Sequence, residues 1–156
     1  MSIHIRAAEP DDVPTLRRLL ISTVKSHCSE DYDARQIAAW IASAESPEPW
    51  ARFVSEQLAL VAEYDGEIAG FTSLAEGDFV YFLYVHSDFM GLGVGRHLLQ
   101  TLMDVARTNG VSELYAHVSK TALGFFRRQG FERICDNHNL INGVEIVNHQ
   151  MRVRLA

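Results

Sequence analysis

The stretch that most constrains the fold is Leu83-Tyr84-Val85-His86-Ser87-Asp88-Phe89-Met90-Gly91-Leu92-Gly93-Val94-Gly95-Arg96. The aromatic-rich run from Phe79 to Val85 reads as a buried strand, and it leads into three alternating glycines that open an amphipathic helix. Such a junction aims free backbone N–H groups and the positive end of a helix dipole at one point, and glycine puts no side chain in the way. A phosphate or pyrophosphate suits that geometry. A tight turn that uses glycine only for positive φ is the plainer reading of a lone glycine, but three in alternation at a strand–helix junction favour anion binding. Two better-known loops do not fit. Gly91-x-Gly93-x-Gly95 lacks G-x-G-x-x-G spacing and does not follow the chain's first strand, and no Gly-Lys-Ser/Thr comes after it.

Around this junction the pattern alternates between strands and helices. Ile3, Ile5 and Ala7 alternate as a first strand, and Pro10 to His27 carries Val13, Leu16, Leu20 and Val24 at helical spacing, with Asp11 or Asp12 placed to cap it. Asp33 to Ala42 reads as a second helix and Glu48 to Gln57 as a short third, both at the domain edge. Leu58 to Tyr64, Glu67 to Leu74 and Phe79 to Val85, joined at Asp65-Gly66 and Glu76-Gly77-Asp78, form an antiparallel meander. Gly93 to Asn109 is a helix stopped by Gly110, Glu113 to Val118 a strand, and Thr121 to Gln129 a helix ending at Gly130. A strand from Phe131, an Asn142-Gly143 hairpin turn and a strand from Val144 to Leu155 complete the chain. The expectation is one α/β (α+β) domain over 1–156. Its mixed, mostly antiparallel sheet has six to seven strands, flanked by about four helices.

Composition removes several function classes. With 47% hydrophobic and 22% charged residues in 156, the chain resembles an ordinary soluble domain. Fourteen basic against twenty acidic residues, a formal charge of −6, argue against nucleic-acid binding and lean toward a cationic partner. Cys28 and Cys135 are too few for a disulfide framework, and no apolar run approaches the roughly 20 residues of a membrane helix or forms a signal peptide. A cytoplasmic protein with reduced thiols and no membrane partner is expected. The seven histidines form no H-x-x-x-H or H-E-x-x-H pattern and Cys135-x-x-His138 stands alone, so no metal is expected.

The glycine segment resembles the acyl-CoA pyrophosphate loop of the GNAT N-acetyltransferase superfamily, Q/R-x-x-G-x-G/A after a strand ending in Val. Met90 stands at the Gln/Arg position, Gly93 and Gly95 at the glycines, and Val85 at the strand end. Ser119-Lys120-Thr121-Ala122 and Phe126-Arg127-Arg128-Gln129-Gly130-Phe131 resemble that family's N-x-x-A and Y-x-x-x-G-F segments, in the same order. The succession of a strand, two helices and a three-strand meander also matches, so the resemblance covers nearly the whole chain. Tyr32 to Trp40 resembles the Tyr and Ala-Trp helix of one bacterial group within it.

This resemblance implies the acyl-CoA N-acyltransferase fold and an acetyl-CoA-dependent transfer to a primary amine, on a small molecule or a protein, by direct attack in a ternary complex. It implies that the backbone of Leu83 and Val85 pairs with the pantetheine arm. Amides of Gly91, Gly93, Val94, Gly95 and Arg96 would hold the pyrophosphate. Met90 offers no strong donor where the family has an amide or guanidinium, so affinity would rest on the backbone and Arg96. Ser119, at the position of the family's Asn, can donate to the cofactor or cap the following helix. Phe126 stands where many members place a Tyr that protonates the leaving thiolate; a phenyl ring cannot, and it is expected to pack on pantetheine or core.

The chemistry asks for an oxyanion donor, for which the Val85 N–H is the candidate, and for a base. An alkylamine with pKa about 10.4 costs about 4 to 5 kcal/mol to deprotonate at pH 7. Strand parity puts Tyr81 and Phe79 on the side of Val85 and Leu83, barring a bulge, and puts His117 with Ser119. Tyr81 and His117 are the acid/base candidates, with Glu76 or Asp78 at the strand mouth behind them; Tyr81 also suits a core aromatic and His117 a plain strand histidine. His86 is expected to face away or toward solvent, and Tyr32 could touch the acceptor. A non-catalytic acyl-CoA sensor or docking module is the alternative, motivated by Met90 and Phe126. A homodimer through Asn142-Gly143 and the final strand is compatible with either.

Overall fold

A computed structural model describes residues 2–155. In chain order the elements are β1 (Ile3–Ala7), a 3-10 turn (Pro10–Asp12), α1 (Val13–His27), α2 (Ala34–Glu45), α3 (Pro47–Ser55), β2 (Leu58–Tyr64), β3 (Glu67–Ala75) and β4 (Phe79–Val85). A second 3-10 turn (Ser87–Phe89) leads to α4 (Val94–Thr108), β5 (Glu113–Val118), α5 (Leu123–Arg128), β6 (Glu132–Ile141) and β7 (Val144–Arg154). The strands make one sheet in the order β1-β2-β3-β4-β5-β7-β6. All neighbours are antiparallel except β4 and β5, which run parallel. Among the described residues five α-helices flank the sheet, one more than the expected four or so.

Period-two alternation, reset in β3 by a bulge at Ala69, sends the apolar residues of each strand to opposite faces, and each face has its own helices. Leu60, Ala62, Ala69, Leu74 and Val80 pack under α4, whose Leu98, Leu99 and Leu102 are fully buried. Each such leucine contributes about 1.5–3 kcal/mol by leaving water. Ala59, Val61 and Phe71 face the other way, against Leu16 and Leu20 of α1 and Trp50 and Phe53 of α3. Trp50 is fixed at both ends: its indole N–H donates to Ala44 O at 2.7 Å, and its ring stacks on Phe82 of β4 at 5.0 Å. Gly70 lets β3, β4 and α4 meet, because a Cβ there would lie 2.7 Å from Tyr84 O.

The α2 start matches its sequence signal, with the Asp33 carboxylate accepting from Gln36 N–H and the Gln36 amide oxygen from Asp33 N–H. The α1 start does not. Asp12 precedes the helix without a side-chain cap bond, because its carboxylate accepts from both terminal nitrogens of Arg6, at 2.8 and 2.9 Å, and from Glu9 N–H. The Asn142-Gly143 turn has φ of 49° and 78°, as a two-residue hairpin requires.

Two irregularities in β4 position the site. It pairs with β5 only at Phe79↔Tyr115 and Val80↔Ala116, and the two parallel strands then part. On its other side Ser73 pairs with Phe82 but Leu74 with Val80, so Tyr81 is an extra residue, a bulge.

Candidate active site

The loop after β4 has a geometry that can hold an anion. Gly91 and Gly93 have φ of 78° and 86°, where any side chain is strained, and no atom lies within 4 Å of where either Cβ would sit. Gly93 starts α4 without a side-chain cap, and the first intrahelical bond runs from His97 N to Gly93 O at 3.0 Å. The N–H groups of Val94, Gly95 and Arg96 therefore precede any i−4 carbonyl of the helix. The first turn holds Arg96 and His97 and no acidic residue, the reverse of what the helix dipole favours unless an anion sits there. Gly95 serves a different purpose: its Cβ would meet Phe125 Cζ at 3.3 Å and Val85 Cγ2 at 3.4 Å, so it admits the Phe125 ring. Met90 is 40% exposed at the rim of the loop. His86 does not simply face solvent; its Nδ1 accepts from Asp88 N–H at 3.0 Å and caps the 3-10 turn.

Next to this cradle, β4 offers a strand edge. His86 N donates to Ala69 O at 2.8 Å, and Val85 stands opposite Gly70. In an antiparallel ladder this makes Val85 and, two residues back, Leu83 direct their N–H and C=O groups away from β3. They point toward the gap that β5 has left. The Val85 carbonyl already accepts from the Thr23 hydroxyl of α1 at 3.3 Å, and no sequence signal marked Thr23. Across the gap Ser119 Oγ accepts from Ala122 N–H at 3.2 Å, which holds the turn before α5 and leaves the hydroxyl proton free to donate.

The bulge overturns the parity expected for the acid/base candidates. Leu83, Val85 and Val80 lie on the α4 face, whereas Phe82 and Tyr84 lie on the face of α1 to α3. Tyr81 goes with the second set: its ring meets Phe82 edge-on at 4.7 Å. Phe79, paired with Tyr115, shares that face and contacts the His117 ring at 4.9 Å and Tyr81 at 6.4 Å. Tyr81 and His117 therefore flank Phe79 on the face opposite the Leu83 and Val85 side chains. Burial lowers the His117 pKa from its ordinary 6.5, so its imidazole is neutral at pH 7. Glu76 and Asp78 stand just before β4, away from the gap between β4 and β5. Tyr115 N donates to Asp78 O at 2.8 Å, at the end where β4 and β5 are still paired.

Tyr81, 39% exposed, lines a cavity of about 410 Å³ with Ser43 of α2, Ser46, Glu48 and Arg52 of α3 and Asn142 of the hairpin turn. Of these, the sequence marks Tyr81 as a site candidate and Asn142 only as a hairpin turn and possible dimer contact. The available signal was the Glu48 and Arg52 spacing of four, which puts both on one side of α3.

Two further expectations change. Tyr32 is only 3% exposed, and its hydroxyl donates to Val147 O at 2.6 Å and accepts from Lys120 N–H at 3.0 Å. It is a buried clasp on the Ser119 turn rather than an acceptor contact. Thr121, donating to Asp31 at 2.8 Å, adds a second tie between the same loops. Phe126 is 5% exposed and packs edge-on with Phe131 at 5.1 Å, so of its two expected places it takes the core.

Comparison with known proteins bears on the family and the fold. Residues 28–154 match the family model described as acetyltransferase (GNAT) domain. The uncharacterized N-acetyltransferase YafP of Escherichia coli (strain K12) is 29% identical over 153 residues, 98% of this chain and 97% of that protein. A GCN5-related N-acetyltransferase from Rhodopseudomonas palustris superposes with a TM-score of 0.94 at 29% identity, covering 99% of this chain and 96% of its own. PaiA N-acetyltransferase from Thermoplasma acidophilum, solved in complex with coenzyme A, has the same fold, with a TM-score of 0.75, 21% identity and 99% of both chains covered.

Proposed function

The chain belongs to the GNAT acetyltransferase family, and we propose that it moves the acetyl group of acetyl-CoA directly to a primary amine within a ternary complex. One observation carries this reading: the glycine cradle at α4 continues into an unpaired β4 edge, and that edge runs to the bulge whose Tyr81 lines a cavity on the opposite face. The coenzyme A bound to the PaiA relative supports the same use of the cradle here.

In this reading the amides of Gly91 to Arg96, with the Arg96 guanidinium, hold the pyrophosphate. Leu83 and Val85 extend their backbone to the pantetheine as an added strand would, and the Ser119 hydroxyl donates from the far side of the gap. Met90 contributes contact but no donor. The amine nitrogen attacks the thioester carbon and the Val85 N–H takes the developing oxyanion. The C–N bond forms, the C–S bond breaks, and thiolate leaves. Neutral His117, through water, accepts the proton that the amine must lose. The Tyr81 hydroxyl, on the same face, supplies a proton to the thiolate in place of the tyrosine that Phe126 replaces.

Calorimetry of acetyl-CoA binding, with acceptor-dependent thiol release, tests this. Wild type should bind one equivalent and Gly93→Trp at least tenfold less, since the side chain fills the cradle. Thiol release should then rise with an amine panel. Tight binding with no amine-dependent release would replace the transferase by an acyl-CoA sensor. No binding by either protein would reduce the loop to a turn.

A further inference from the structure

The cavity beside Tyr81 is neutral although the molecule carries −6, and its two charges are of opposite sign. Glu48 and Arg52, one turn apart on α3, pair at 2.8 Å while 71% and 56% exposed. A pair so exposed is screened by solvent and weakly held, so a ligand can replace either partner at little cost. Arg52 spends one Nη2 proton on Glu48, and its Nε and Nη1 make no hydrogen bond among the described residues, so the fork edge formed by the other Nη2 proton and its neighbouring N–H stays open to a carboxylate. Asn142 commits its Nδ2 to Ala39 O at 3.4 Å and keeps its amide oxygen as an acceptor. The Ser43 hydroxyl is spent on Trp40 O at 2.9 Å. The lining thus offers one anion-binding fork, and Glu48 and the Asn142 oxygen as partners for an ammonium.

Resting on the transferase reading above, we infer that the acceptor is a small zwitterion of the amino-acid class, an amine that also carries a carboxylate, and that Arg52 is its carboxylate anchor. A diamine or polyamine is the acceptor that the overall charge alone would suggest. It would bring a second cation to Arg52, and the cavity has no second acid to receive it. A cavity of about 410 Å³ lies within the range of about 300–1,000 Å³ typical of small-molecule sites. Transfer is balanced as before: the amine nitrogen gains the acetyl carbon, sulfur leaves as thiolate, and the carboxylate takes no part in bond making.

The test is acceptor-dependent thiol release by the full chain. Free amino acids of increasing amine-to-carboxylate spacing are compared with their amides and with putrescine and spermidine. Rates are referred to the concentration of neutral amine, because amidation lowers the amine pKa. Wild type should favour at least one amino acid over its amide by tenfold or more in kcat/KM. In Arg52→Gln that ratio should fall toward one through a higher acceptor KM, with acetyl-CoA affinity and Tm unchanged; Arg52→Lys should restore part of it. Equal use of acid and amide, or preference for the diamines, overturns the inference and leaves the transferase standing. Acetyl-CoA binding with no acceptor in any class overturns both.

Discussion

At the scale of single residues, chemistry and environment were legible to different degrees. His117 was marked by sitting two residues before Ser119 on a strand, and what the fold adds is partial burial beside Phe79, which lowers its pKa below 6.5. The sign follows directly: the folded protein prefers the neutral imidazole, so the base form persists below the ordinary pKa and is lost only as the pH falls through the lowered one. The kcat/KM profile should show an acid limb with an apparent pKa below 6.5, and His117→Gln should remove that limb and cost about 10²-fold or more in the plateau. A limb that survives the substitution would assign the base elsewhere. Tyr32 shows why the reverse error arises. Its aromatic ring and its place before α2 are visible in sequence, but its hydroxyl is satisfied by Val147 and Lys120, 115 and 88 residues away, and no local pattern encodes which backbone groups will arrive there. Glu48 and Arg52 were missed for the same reason: their spacing places them on one side of α3, but only the assembled hairpin and the bulge make that side a cavity wall.

At the scale of elements, most of the chain was readable because alternation and helical periodicity are local, and the strand and helix bounds shifted by only a few residues. The exceptions are non-local. Nothing in Phe79 to Val85, which lacks glycine and proline, announces a bulge; it arises from the register with β3, where Ser73 and Leu74 face Phe82 and Val80. That one residue moves Tyr81 to the opposite face from the Val85 side chain, the face it shares with the other acid/base candidate, His117. Asp11 or Asp12 suits a cap because short acids before helices usually do, but Arg6 across the turn claims both oxygens of Asp12, the residue that directly precedes α1. The register of β3 against β4 also depends on Gly70, where a methyl group would stand 2.7 Å from Tyr84 O, 3.2 Å from Val94 Cγ1 and 3.3 Å from Leu98 Cδ1. A backbone oxygen cannot swing aside as a side chain can, so Gly70→Ala must part β3 from β4 or push back the first turns of α4. Overpacking of this kind costs about 1–3 kcal/mol. The urea midpoint should fall by that amount at constant m. Acetyl-CoA affinity should fall with it, since Val94 is the first residue of the helix that carries the cradle. An unchanged midpoint would mean that the three elements are less tightly joined than their geometry implies.

At the scale of the whole molecule, the sheet separates two binding problems. On the proposed function, the dianionic pyrophosphate would be met on one side by helix amides and Arg96, and the acceptor on the other by a cavity of balanced charge, with the parted strands β4 and β5 between them. The overall charge of −6 belongs to neither site. Read from composition, it suggested a cationic acceptor; read from the cavity, it is a surface property that acts only through the long-range field. These two views differ in a measurable way, because steering of a cation by an anionic protein is screened within a Debye length of about 10 Å at 0.1 M salt. A polyamine acceptor would be drawn in at low salt, and its kcat/KM would fall several-fold between about 20 and 200 mM ionic strength. A zwitterion has no net charge to steer, so its kcat/KM should stay nearly constant over that range at saturating acetyl-CoA. A steep decline with salt would return the acceptor to the cationic class, and would make Arg52 a partner of Glu48 rather than of the substrate.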